Sequence, residues 1–189
     1  MSTAVVIGSY VGSAWLAECV ASLPSNIPTI VVCEPHYECG TIGWVHRNTT
    51  LDEFLFLPDT VVVKRHEWIY ETIQAFGVSI AVNADPCVYG SFMGKYRRTI
   101  LDKIGGVPIT RDKFDAVQAE TAFTKRYCAA ETNPVRVLFP DLRDGAHFEV
   151  KNGRENMVLG NEHLTKWKGA WSVNTVESCE VRDKLLSGR

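Results

Sequence analysis

The chain opens on an alternation of apolar runs and helical stripes. Residues 4–7 form a continuous apolar run closed by Gly8-Ser9, the pattern of a strand buried on both faces. Trp15, Leu16, Cys19, Val20 and Leu23 then recur at helical spacing up to Pro24. Thr29–Cys33 is rich in β-branched residues and predicts a second strand. Residues 54–57 predict a third, and Val61–Val63 a short strand of its own. Trp68, Ile69, Thr72, Ile73 and Phe76 repeat the helical stripe, with Gly77 as its C′ residue, and residues 78–82 predict a further strand. The second half is less regular. It predicts helices over 98–104 and 112–128, a strand over 135–139 and a last short helix over 161–167. Gly90 to Gly94 and the following Lys95, Arg97 and Arg98 read as a glycine-bracketed basic loop.

Strand–helix–strand alternation favours an α/β fold with a mostly parallel central sheet. In such sheets ligands lie at the carboxyl ends of strands, so the residues that follow each run carry the interest. These are Ser9 and Tyr10 after the first, Glu34 after the second, and Pro58-Asp59-Thr60 after the third. Glu34 and Asp59 are each either a ligand-facing acid or a solvated loop residue. Gly8 and Gly12 do not make a dinucleotide fingerprint, because Tyr10 stands where a glycine must admit the pyrophosphate. Asp59 suits a divalent cation held mainly by substrate phosphates, or equally a turn between strands. Glu120 sits among Ala116, Ala119, Ala122 and Phe123, surroundings that raise a carboxyl toward the range of a general base; alternatively it is an exposed helix acid paired with Lys125. His147 and His163 are the histidines of the second half, and either can complete a metal site.

Composition narrows the classes. With 46% hydrophobic and 22% charged residues over 189 positions, one domain with a real core is expected, and disorder is excluded as an overall description. The net charge of −2 provides no field for holding a long nucleic acid. No run approaches the length of a membrane span, and the apolar start lacks the basic flank of a secretion signal. Six cysteines without a C-x-x-C pair then read as reduced thiols in a cytoplasm, and the sequon at Asn48 carries no glycan.

In order along the chain, several stretches resemble a glycosyltransferase of the GT-A type, in a compact form close to the family-two enzymes. Val5-Val6-Ile7-Gly8-Ser9-Tyr10 resembles the opening strand and loop that receive the base. Ile30-Val31-Val32-Cys33-Glu34 resembles the second strand with its terminal acid. Residues 52–60 resemble the strand carrying the D-x-D motif, of which Asp59 remains. Gly90-Ser91-Phe92-Met93-Gly94 resembles the loop facing donor sugar and acceptor, and Ala119-Glu120-Thr121 the helix that presents the base of inverting members. The resemblance spans roughly residues 4–170 of a single domain. It divides into a nucleotide-binding half of about 1–85, an acceptor half of about 86–175 and a polar tail.

The resemblance implies inverting transfer of a sugar from a uridine or guanosine diphosphate donor to a protein or glycan hydroxyl, with Mn2+ or Mg2+ as cofactor. Ser9, Tyr10, Glu34 and Asp59 would bind the nucleotide and Ser91, Lys95 and Arg97 the sugar and phosphates. Asp59 and His147 would hold the metal, and Glu120 would act as base, with Asp115 as its rival. Small soluble versions resemble phage-encoded or bacterial enzymes, which places the protein in the cytoplasm, the host's if phage-encoded. The alternatives are a nucleotidyltransferase and a catalytically inactive relative that binds a glycan or protein.

Overall fold

The computed structural model describes residues 2–9, 13, 15–33, 37–83, 93–110, 113–142 and 157–167. The elements are β1 (Thr3–Ser9), α1 (Leu16–Ala21), β2 (Thr29–Cys33), α2 (Tyr37–Asn48), β3 (Glu53–Pro58), β4 (Val61–Val63), α3 (Glu67–Gln74), β5 (Ile80–Asn83), β6 (Gly94–Arg97), α4 (Arg98–Lys103), α5 (Lys113–Ala130), β7 (Arg136–Phe139), β8 (Met157–Gly160) and β9 (Leu164–Trp167). Six strands form one sheet in the order β2-β1-β3-β6-β5-β7, and β4-β9-β8 form a second. β1 runs parallel to β2 and β3, and β5 parallel to β7, while β6 is antiparallel to both β3 and β5. Five strands of the main sheet therefore point one way and β6 opposes them.

Side chains alternate between the faces of this sheet. Val6, Phe54, Phe56, Ala81 and Tyr96 meet Cys39, Ile42 and Val45 of α2, Ile100 and Leu101 of α4, and Phe123 and Tyr127 of α5. Val5, Ile7, Leu55, Leu57 and Val82 meet Cys19 of α1, Trp68 and Ile69 of α3, and Val61, Val63 and Leu164 of the small sheet. Helices thus cover both faces, as the apolar strand runs predict. Each large side chain buried this way contributes about 1.5–3 kcal/mol. Tyr96 is the aromatic hub of the first face, its ring centroid 5.8 Å from Phe54, 6.0 Å from Phe123 and 5.2 Å from Tyr127.

Four elements depart from the sequence expectation, one of them β8 (Met157–Gly160), a strand where none is expected. α2 has no counterpart in it, because Gly40, Thr41 and Gly43 are poor helix formers and tertiary packing overrides them. Gly8 makes that packing possible: a Cβ there would stand 2.8 Å from Thr41 Oγ1 and 2.9 Å from the Phe56 ring. Residues 94–97, read as part of a basic loop, are strand β6, bonded on one side to β3 and on the other to β5. Residues 164–167, expected as helix, are strand β9, whose Leu164 pairs with Val63 and Lys166 with Val61. A stretch this short does not distinguish helix from strand by period, and the ladder to β4 decides it.

Candidate active site at the carboxyl edge of the sheet

β1, β3 and β5 deliver their last residues to one edge. The β1–β3 register ends at Gly8↔Pro58, so the next residues, Ser9 and Asp59, stand side by side. Ser9 Oγ donates to Asp59 Oδ2 at 2.7 Å, and Asp59 N donates to Gly8 O at 2.9 Å. Ser9 is 3% exposed and Asp59 7%, so the carboxylate is held in a fixed orientation inside the edge rather than swinging in solvent. Cys19 of α1 lies behind it, its Sγ directed at Pro58 O at 3.9 Å. The Cys19 thiol is pushed up to about 12, first by burial and then by the negative charge of Asp59.

At the end of β5, Asn83 Oδ1 accepts from Met93 N at 3.2 Å while Val82 N donates to Met93 O at 2.7 Å. Asn83 thereby ties the end of β5 to the start of β6, at the same edge as Ser9 and Asp59. The sequence pattern offers one signal for it, a polar residue closing an apolar strand.

Glu120 lies on α5, half-buried. Its charge, with that of Glu38, pushes the Cys39 thiol up, although burial is the larger cause. Glu120 is therefore near enough to Cys39, in the first turn of α2, for its charge to be felt there. Tyr10, Glu34, Ser91 and His147 lie outside the described residues, as does the side chain of Asp115.

Lys95 and Arg97 are brought elsewhere. Because β6 opposes its neighbours, it carries them toward the amino edge of the sheet, where Glu53 pairs with Arg97 in the ladder. Lys95 is 0% exposed. Its Nζ lies 2.8 Å from Glu53 Oε2 and donates to Ala75 O. Arg97 Nη1 lies 3.0 Å from Glu131 Oε2 and Nε 3.8 Å from Glu53 Oε1, which also accepts from Gly77 N at 2.7 Å. Ser79 Oγ bonds both Tyr127 OH, at 2.8 Å, and Glu131, and Tyr127 OH accepts from Arg97 N at 2.8 Å. These cations hold a buried network together and do not line the edge where Ser9 and Asp59 meet.

Among the described residues no group of three His, Cys, Asp or Glu side chains is arranged to hold a metal ion. Asp59 is a single carboxylate already bonded to Ser9, so the described residues do not by themselves build a cation site. His163 is stacked on Phe139, 4.7 Å between centroids, in the turn between β8 and β9. None of the described helices is long and apolar enough to cross a membrane.

No family model matches the chain, and no curated protein matches it in sequence. Several solved structures are similar to it. One is S. aureus TarS 1-349, at 12% identity and a TM-score of 0.46, covering 73% of this chain. Another is 2-C-methyl-D-erythritol 4-phosphate cytidylyltransferase from Thermus thermophilus, at 10% identity and a TM-score of 0.40, covering 81% of this chain and 94% of that one. The chain spans 58% of the TarS structure's length. At these scores neither likeness carries an argument. The fold class rests on the strand order and directions themselves: an α/β protein with a mostly parallel six-stranded sheet, helices on both faces, and a polar pair, Ser9 and Asp59, at its carboxyl edge.

Proposed function

We propose that the chain is a glycosyltransferase that moves a sugar from a uridine or guanosine diphosphate donor to a hydroxyl of a protein or glycan. The observation that carries this is the Ser9–Asp59 hydrogen bond at the carboxyl edge of β1 and β3. It joins the two stretches of sequence that most resemble the base-receiving and D-x-D strands of GT-A enzymes, and it lies where ligands of open α/β sheets bind. Ser9, Tyr10 and Glu34 would hold the nucleoside, with Asp59 directed at the diphosphate side. Glu120 would take the proton of the acceptor hydroxyl as it attacks the anomeric carbon in a single displacement. Mn2+ or Mg2+ would enter as a companion of the diphosphate.

The test is calorimetry with UDP, GDP and their sugars, with and without Mn2+, on the wild type and on Asp59→Asn. Binding of one of these nucleotides, weakened in Asp59→Asn, is the expected result. No binding of any of them at millimolar concentration overturns the proposal. A second reading, a non-catalytic glycan- or protein-binding relative, is favoured by one observation: Asp59 is deeply buried and closes the tight turn from β3 to β4. Nucleotide binding without turnover of any nucleotide sugar would select it. A nucleotidyltransferase is less favoured, since residues 8–15 contain no Lys or Arg to hold phosphates after the first strand.

A further inference from the structure

A diphosphate lying at the carboxyl edge meets the carboxylate of Asp59, and like charges repel strongly at a site shielded from water. A basic side chain near that edge, alongside any divalent cation that accompanies the diphosphate, offsets this repulsion. Lys95 and Arg97 are committed to Glu53 and Glu131 at the opposite edge. The small sheet supplies another basic residue. β4 begins at Val61, after the single residue Thr60 that follows Asp59. β9 is antiparallel to β4, with Val63 opposite Leu164, Val62 opposite Thr165 and Val61 opposite Lys166. Opposed α-carbons of such a ladder are about 4.5–5.5 Å apart. Lys166 therefore stands beside a residue only two positions beyond Asp59.

The burial gradient along β9 fits this placement. Leu164 and Thr165 are buried, whereas Lys166 is half-exposed at the end nearest the edge. The other basic side chains following β4 are engaged: Lys64 Nζ donates to Asn161 O at 2.8 Å, Arg65 Nη2 lies 3.2 Å from Glu162 Oε2, and the His66 ring bonds Ser22 O at 3.0 Å. Among the described residues Lys166 carries no ion pair.

Resting on the nucleotide-sugar reading above, we infer that Lys166 is the diphosphate-binding cation of the edge formed by Ser9 and Asp59. Its flexible stem and compact ammonium suit a phosphate oxygen rather than a bidentate fork. It offsets the carboxylate of Asp59 in the bound state and the charge left on the departing nucleoside diphosphate.

The test compares UDP with uridine, and GDP with guanosine, by ligand-observed NMR titration of the full chain. It uses the wild type, Lys166→Met and Lys166→Arg. Lys166→Met is expected to weaken the diphosphate by about tenfold to a hundredfold, the range of a hydrogen bond to a charged group, and to leave the nucleoside unchanged. Lys166→Arg, which keeps the charge, is expected to retain most of the diphosphate affinity. A Lys166→Met protein that binds the diphosphate as the wild type does overturns the inference. So does one that keeps the wild-type melting temperature yet loses diphosphate and nucleoside equally, since that loss is not specific to the phosphates. If the wild type binds neither diphosphate nor nucleoside, the nucleotide reading falls and the Lys166 inference falls with it.

Discussion

Substitution of the two members of the Glu53–Lys95 pair distinguishes a structural cation from a ligand-binding one. Lys95 is fully enclosed, with Nζ 2.8 Å from Glu53 Oε2. In Glu53→Gln the ammonium stays buried without its counter-charge, keeping only the carbonyl of Ala75 and the face of Phe76, 5.9 Å from Nζ to the ring centroid. Breaking a buried pair from one side costs about 3–5 kcal/mol. For a chain of this size each kcal/mol lowers the melting temperature by about 2–4 °C, so a fall of roughly 6–20 °C is expected. Lys95→Met should cost less, because Glu53 retains Gly77 N at 2.7 Å and Arg97 at 3.8 Å. The double variant Glu53→Gln/Lys95→Met should be more stable than the sum of the two losses, since the partners share one interaction. Urea denaturation with an unchanged m-value is the assay, with nucleotide affinity measured in parallel. Expected is a lower midpoint with the nucleotide affinity of the folded protein intact. If Lys95→Met keeps the wild-type midpoint and loses nucleotide affinity, Lys95 is a phosphate ligand after all and the structural role is refuted.

Two further outcomes follow from the site. Glu120→Gln should lower turnover by about 10²–10⁴-fold, the usual contribution of a positioned base, while donor affinity holds; Asp115→Asn is the matched control, and loss of transfer in it alone moves the base along α5. Stability should also fall in alkali. The folded pKa of Cys19 is raised from 9.0 to about 12, so its contribution is whole below pH 9 and is lost as pH climbs toward 12, by up to about 1.4 kcal/mol per pH unit. Burial pushes Cys39 and Tyr127 the same way, and urea midpoints between pH 8 and 11 that stay flat would contradict all three.

The parts of the fold legible in the sequence are those whose signal is local. β1 and β3 stand out as apolar runs because strands buried on both faces need apolar residues at successive positions; β2, an edge strand with Thr29, Val31 and Cys33 exposed, stands out by its β-branched residues instead. α3 stands out as a stripe because Trp68, Ile69 and Thr72 face one core while its other side meets water. α2 is hidden because what makes it a helix is not its own composition but the fit of Thr41 over Gly8, a contact between distant segments. β9 is hidden because its four residues become a strand only on meeting β4.

The site divides along the same line. Ser9, Glu34 and Asp59 each follow an apolar run, and reading them as edge residues depends only on all those strands pointing one way. That rule puts Ser9 and Asp59 together, though they are 50 residues apart. It fails at Lys95 and Arg97 for a definite reason. Their strand, β6, is the one that runs against the rest of the main sheet, so proximity in sequence to the glycine-bracketed segment places them away from the carboxyl edge. One reversed strand divides the basic residues between two tasks. At the amino edge, buried charges are paired and fix the sheet. The carboxyl edge has a buried acid, Asp59, and the cation proposed for the diphosphate there comes from β9, a strand whose position no local pattern announces.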